Sequence, residues 1–189
     1  VTMFQVRLHG RGGQGVVTAA EMMSIAAFLE GRHAQAFPNF GSERMGAPVV
    51  SFCRIDDKPI RLREPILEPN AVIVQDVTLL GAVPVFQGLE PKGYVLVNST
   101  KTLKELGLAD ALDKMPEGHV RVVAATDLAV RHVGRPVPNA ALLGAFAGVT
   151  GLLHFASVEA AIRDKFKGAV GDGNVKAARA AFDDVAVPA

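Results

Sequence analysis

Short apolar runs with strand character recur along the chain, at residues 4–8, 33–37, 49–55, 71–74, 94–97 and 120–124. The last three are almost unbroken and β-branched, which suits strands buried on both faces, as in a parallel sheet covered by helices. Residues 49–55 alternate only in part and run into Asp56-Asp57-Lys58-Pro59, a hairpin-like turn, so an antiparallel element is expected in the same sheet. Between the first two runs, Val17, Ala20, Met23 and Ala27 recur at helical spacing, with Gly31 placed to end the helix. The last third is helical. Pro138-Asn139 opens a helix carrying Leu142, Leu143, Phe146, Val149 and Leu152, Ser157 begins another, and a final amphipathic helix is expected after Gly171-Asp172-Gly173-Asn174. Glycine inside a helix costs about 1 kcal/mol relative to alanine. Gly144, Gly148 and Gly151 therefore predict a close approach, to the sheet or to a partner's backbone.

Where the first strand meets the first helix the chain reads Gly10-Arg11-Gly12-Gly13-Gln14-Gly15. In a G-x-G-x-x-G between strand and helix, the glycines permit a tight turn and close backbone approach. The first helical turn then offers unpaired N–H groups to an anion. A diphosphate is the natural guest, with Arg11 as a cation and Gln14 as a neutral donor. The alternative is a tight strand-to-helix turn that binds nothing. A nicotinamide site would also need a carboxylate ending the second strand, about 20 residues further on. That region is His33-Ala34-Gln35-Ala36-Phe37-Pro38-Asn39-Phe40, with none. Glu30 reads as a solvated residue at the helix end.

The fold expected is α/β over a single domain, residues 1–189: a Rossmann-like three-layer sandwich with a mostly parallel sheet, an antiparallel hairpin element and a helical C-terminal third. In such sheets ligands bind beyond the carboxyl ends of the strands, where the Gly10 loop, Asp76, Asn98, Ser99 and Thr126 are expected to converge. Asn98, Ser99 and Asp127 have an equal alternative as caps of the helices that follow.

Composition narrows the partners. With 49% apolar and 21% charged residues and a net charge of +1, neither nucleic acid nor membrane is implied. The single Cys excludes an internal disulfide framework and a cysteine-held cluster built by this chain alone. The opening residues lead straight into a strand, so a cytoplasmic location is expected. The five histidines are scattered without metal-ligand spacing, so no metal site is expected. His9 is either a ligand contact or a strand-ending histidine. Cys53 reads as a small buried apolar residue, and Glu43 with Arg44 as a solvated ion pair in a glycine-flanked loop.

The chain resembles the gamma subunit of 2-oxoacid:acceptor oxidoreductases, the pyruvate:ferredoxin oxidoreductase group, over nearly its whole length. The resemblance is carried by Gly10–Gly15, by Phe37-Pro38-Asn39-Phe40-Gly41-Ser42-Glu43-Arg44-Met45-Gly46-Ala47-Pro48, by Pro69-Asn70-Ala71-Val72-Ile73-Val74-Gln75-Asp76, by Val97-Asn98-Ser99 and by Pro138-Asn139-Ala140-Ala141-Leu142-Leu143-Gly144. It implies a share in an enzyme that oxidatively decarboxylates a 2-oxoacid, pyruvate or an aryl 2-oxoacid such as phenylglyoxylate, to its acyl-CoA. Thiamine diphosphate and iron–sulfur clusters belong to partner subunits, with ferredoxin or another acceptor taking the electrons. This chain is expected to contribute coenzyme A and partner contacts through Gly10, Arg11, Gly12, Gly13, Gln14, Gly15, Asn39, Glu43, Arg44, Asn98 and Ser99, and no catalytic residue. A stand-alone dinucleotide-dependent dehydrogenase and a purely structural subunit are the alternatives.

Overall fold

A computed structural model describes residues 3–39 and 44–186. Strands β1 (Phe4–Arg11), β2 (His33–Pro38), β3 (Pro48–Asp56), β4 (Ala71–Val74), β5 (Tyr94–Asn98) and β6 (Val120–Val123) form one sheet in the order β2-β3-β1-β4-β5-β6. Helices α1 (Val16–Leu29), α2 (Ala125–Val133), α3 (Asn139–Thr150), α4 (Phe155–Lys165) and α5 (Gly168–Ala186) complete the regular structure. β1, β4, β5 and β6 run parallel, and β3 runs antiparallel to both its neighbours. The antiparallel hairpin is therefore β2 with β3, joined through the segment between Pro38 and Pro48. The expected turn at Asp56-Asp57-Lys58-Pro59 forms no hairpin. Asp56 Oδ1 accepts from the N–H of Asp57 and Lys58, and the chain then leaves the sheet.

Period-2 alternation splits the core in two. Val6, Leu8, Cys53, Ile55, Ile73 and Leu96 face α1, α3, α4 and α5. Val72, Val74, Val95 and Val97 face the other way, onto Leu79, Val85, Leu108 and Leu112. That third layer is built from turns, not from the helices the β-branched runs led us to expect. Among the described residues, the crossovers from β4 to β5 and from β5 to β6 hold a single 3-10 turn, Val77–Leu79. Gly81, Pro84, Gly88 and Pro91 in the first, and Gly107, Pro116 and Gly118 in the second, interrupt any longer helix.

Arg7 anchors this layer. Its guanidinium is buried and donates to the carbonyls of Ile66, Val85 and Gln87 at 3.3, 2.8 and 2.6 Å, and its Nε to His9 Nε2 at 3.0 Å. His9 is thus a core histidine. Burial, and then the neighbouring Arg7 charge, lower its pKa to about 4. Because the folded value lies below the ordinary 6.5, the unfolded chain takes up the proton first as pH falls. His9 therefore contributes its full stability above pH 6.5 and loses it progressively down to pH 4, a loss on the order of 3 kcal/mol. Urea midpoints across this window should fall for the wild type and stay nearly level for His9→Gln, which cannot titrate.

Two glycines of α3 serve contacts within the chain. Gly151, where a close approach was also expected, has nothing within 4 Å of a Cβ and instead ends α3 as a left-handed C-cap with φ 63°. A Cβ on Gly144 would overlap the Ala178 backbone, and one on Gly148 would meet Phe182 and Val185, so the glycine face of α3 lies against α5 and is closed to partner subunits. Likewise Gly171-Asp172-Gly173-Asn174 does not precede the last helix but lies inside α5, where Gly171 and Gly173 pass close to the carbonyls of Phe166 and His132. Glu30, expected in solvent, is mostly buried and accepts from the His154 N–H and ring at the start of α4.

Candidate functional site

From β1 the chain builds outward to β2 and β3 on one side and to β4, β5 and β6 on the other. The boundary between β1 and β4 is thus a topological switch point, the place where an open α/β sheet leaves a crevice beyond its carboxyl ends. A cleft of about 590 Å³ lies there. Gly12, Gly13 and Gln14 line it from the loop after β1, Gln75 and Asp76 from the end of β4, and Asn98 and Ser99 from the end of β5. Thr126 and Asp127 at the start of α2, and Pro136 to Pro138 before α3, close the far side. The convergence expected from the strand ends is therefore present.

Each side chain has a local reason for its place. Gly13 and Gly15 have φ of 91° and 72°, a left-handed backbone that glycine adopts without strain. With Gly15 as its N-cap, α1 begins without a side-chain cap, and the N–H groups of Gly13, Gly15, Val16 and Val17 have no partner among the described residues. Gly10 lies within β1, where a Cβ would strike Val16, so it lets α1 close down on the strand. Gly12 lacks a side chain because the Arg44 carbonyl passes beside it. Its N–H donates to the Ala47 carbonyl at 2.9 Å, and the Gly46 N–H donates to its own carbonyl at 3.1 Å.

Arg11 and Gln14 are committed to the loop itself. Gln14 Oε1 accepts from the Arg11 N–H at 2.7 Å, and Gln14 Nε2 donates to Asp76 Oδ2 at 2.7 Å. Arg11 does not line the cleft. It points to the turn-layer side, donating to Thr78 Oγ1 at 3.0 Å and to the Gly46 carbonyl at 3.1 Å, with Asp76 at 3.5 Å. Burial pushes the Asp76 carboxyl up, but hydrogen bonds from Thr78 and Gln14, aided by the Arg11 charge, outweigh it and hold it below the usual carboxylate range. Sequence reasoning placed Asp76 at the strand end and missed that it clasps the loop.

Asn98 caps, though not its own connection. Its Oδ1 accepts from the Thr126 N–H in the first turn of α2 at 3.1 Å, while its Nδ2 donates to the Gln75 carbonyl and to Thr126 Oγ1. Ser99 Oγ accepts from the Lys101 N–H at 3.0 Å, and Asp127 lies in the first turn of α2. Asn39 and Arg44 are exposed on the loop that carries Met45 to the cleft, and Glu43 lies outside the described residues.

Gln75 is a cleft residue that the sequence did not single out. It is 2% exposed, lines the cleft, donates through Nε2 to the Gln14 carbonyl at 3.0 Å, and among the described residues has no partner for its Oε1. An unpaired buried carbonyl costs about 1–3 kcal/mol, so an acceptor in such a place points to a donor from outside the chain. Among the described residues, no group of three or more His, Cys, Asp or Glu side chains is placed to hold a metal ion. Nor is any described helix long and apolar enough to cross a membrane. The Cys53 thiol is fully buried, and burial pushes its pKa up to about 12, which makes it an apolar filler and not a nucleophile.

The family model for pyruvate ferredoxin/flavodoxin oxidoreductase matches residues 5–183. The chain belongs to this family. It is 49% identical over 185 residues to the pyruvate/ketoisovalerate oxidoreductases common subunit gamma of Pyrococcus furiosus, a match covering 98% of each chain. The crystal structure of pyruvate oxidoreductase subunit PORC from Thermotoga maritima superposes with a TM-score of 0.81 at 35% identity, covering 97% of each chain. The 2-oxoglutarate:ferredoxin oxidoreductase of Magnetococcus marinus, solved with 2-oxoglutarate, coenzyme A and succinyl-CoA bound, shares the fold with a TM-score of 0.72. That match is at 15% identity and covers all of this chain and 32% of the other. A gamma subunit of a pyruvate ferredoxin oxidoreductase is one part of a 2-oxoacid oxidoreductase. The topology also accounts for the absent nicotinamide signature. β3 separates β2 from β1, so the end of β2 lies a strand further from the switch point than a ribose-binding carboxylate requires.

Proposed function

We propose that this gamma subunit acts, as a single cytoplasmic domain, in an assembly with thiamine-diphosphate-binding and iron–sulfur subunits that converts a 2-oxoacid to its acyl-CoA and delivers electrons to ferredoxin or another acceptor. Its own share is one wall of the coenzyme A site, and it supplies no catalytic acid or base. The observation that carries this reading is the unpaired Gln75 Oε1 in the switch-point cleft, beside the free N–H groups that begin α1. An amide acceptor and a row of N–H donors fit a ligand that combines N–H groups with a diphosphate. Bound there, coenzyme A supplies the thiol that takes the acyl group. The N–H groups of Gly13, Gly15, Val16 and Val17 hold phosphate oxygens, Gln75 accepts an N–H, Gly10 and Gly12 keep the loop compact, and Arg11, Gln14, Asn98 and Ser99 fix the walls. Asn39, Glu43 and Arg44 are assigned to contacts with coenzyme A or a partner chain. The loaded Magnetococcus marinus relative, with the same fold, supports this ligand class.

A scaffold role is the second reading, and the close fit of Gly12 against the Arg44 carbonyl favours it, because that glycine is explained without a ligand. Equilibrium titration of the assembled complex with coenzyme A separates the two. Gln75→Met removes the acceptor at similar volume together with the Nε2 bond to the Gln14 carbonyl, and losing the ligand's hydrogen bond of about 0.5–1.5 kcal/mol should by itself weaken binding roughly 3- to 10-fold. Binding that is undetectable in the wild type, or unchanged in the variant, would favour the scaffold.

A further inference from the structure

At the opposite end of the sheet from β6, strand β2 has only one neighbour among the described residues. The Asn39 N–H donates to the Val50 carbonyl directly across from it at 2.9 Å, which fixes the ladder's phase. By alternation His33, Gln35 and Phe37 exchange hydrogen bonds with β3, while the backbone groups of Ala34, Ala36 and Pro38 point to the free side. Pro38 agrees with this phase, since proline in a strand is tolerated where its missing N–H would face outward.

A groove of about 610 Å³ lies along the first half of that edge. Its floor is His33 to Gln35. One wall is the end of α1, where Phe28 is 73% exposed, and the other is the segment carrying Pro59, Ile60 and Arg63, which Gln35 ties down through the Leu62 carbonyl. The rim is basic. Arg32 is paired with Asp57, but Lys58, Arg61 and Arg63 are exposed and have no carboxylate partner among the described residues.

We propose that this groove receives an extended segment of a partner subunit, which adds to β2 as a seventh strand and brings carboxylate side chains to Arg61 and Arg63 and an apolar one to Phe28. Strand addition uses the open backbone groups for affinity, and the flanking side chains for selection. Charge selects the occupant. A second copy would bring the same unpaired arginines, and antiparallel self-pairing centred on Ala36 would set Pro38, without an N–H, against Ala34. The inference rests on the chain's place in a multi-subunit enzyme, and it is independent of the cleft's ligand.

Amide hydrogen exchange, followed in the free full-length chain and in the co-expressed complex, reads the edge directly. The Ala34 and Ala36 amides should exchange freely in the chain alone and slow at least 100-fold in the complex. Ala36→Pro removes an outward N–H without breaking a bond to β3, and should weaken subunit association tenfold or more while leaving the melting temperature of the chain nearly unchanged. Arg61→Glu with Arg63→Glu should weaken association likewise, and its deficit should shrink as salt is raised. An assembled complex in which both amides still exchange freely overturns the inference and leaves the coenzyme A reading standing. Protection that instead tracks the concentration of the chain alone, with a doubled mass, identifies a second copy as the occupant and also overturns it. A wild-type chain that joins no complex overturns this inference and the assembly reading together, whereas failure of coenzyme A titration with both amides protected overturns only the latter's ligand.

Discussion

Gly144→Ala should destabilise the protein by roughly 1–3 kcal/mol, although the same exchange in an open helix stabilises by about 0.5–1 kcal/mol. The sign reverses because the three atoms nearest to an added Cβ all belong to the backbone of Ala178, which cannot rotate aside as a side chain can. Helices α3 and α5 would have to separate along a contact that buries Leu143, Ala147, Ala177 and Ala181. Gly144→Leu should leave no folded protein at all. Gly81 supplies the control, since nothing lies within 4 Å of a Cβ there and its φ is not positive, so Gly81→Ala should be neutral or slightly stabilising. Urea midpoints of Gly144→Ala and Gly81→Ala, referred to the wild type, test the ordering, and circular dichroism reads the loss of fold in Gly144→Leu. A Gly144→Ala protein as stable as Gly81→Ala would mean that the two helices are not in backbone contact.

Arg11→Ala should lower coenzyme A affinity about 10- to 100-fold, corresponding to the roughly 1.5–3 kcal/mol of a charge-assisted hydrogen bond. The route is indirect. Arg11 points away from the cleft, but it compensates Asp76, whose carboxylate lines the cleft and grips Gln14. Without the guanidinium, the cleft gains an uncompensated negative charge and the loop loses its ties to Thr78 and Gly46. Adding Asp76→Asn should then restore much of the affinity. If Arg11 instead met a phosphate directly, the double variant would bind as poorly as the single one. Acceptor reduction by the 2-oxoacid without coenzyme A, on the same assembled enzyme, should be unchanged throughout.

The central sheet was legible because its strands announce themselves twice, by β-branched runs and by polar residues at their carboxyl ends. Asp76, Asn98, Ser99 and Thr126 meet where that pattern placed them. The pairing of those residues was not legible. Gln14 and Arg11 read as free donors from their neighbours in sequence, and only the fold brings Asp76 and Thr78 within reach of them. The glycines misled in a related way. Gly12 resembles a phosphate-approach position, and Gly144 a partner-contact position, yet backbone from Arg44 and Ala178 fills the space beside each. Sequence shows that a close approach is needed and is silent on what approaches. The turn-built layer was missed because buried valines look alike beneath helices and beneath turns; the interrupting glycines and prolines between β4 and β6 were the available signal.

Arg7 gives that layer an unusual freedom of composition. Its guanidinium holds two separate stretches of chain, at Ile66 and at Val85 with Gln87, and every oxygen it grips is a main-chain carbonyl. Arg54 holds the Glu64 carbonyl in the same manner. Main-chain oxygens are present whatever the residue, so substitutions at Glu64 or Gln87 leave these anchors in place. The tolerance is one-sided. Lysine in place of Arg7 has one ammonium where the planar fork spans three carbonyls and a ring nitrogen, so the variability open to the anchored stretches depends on a residue that has almost none.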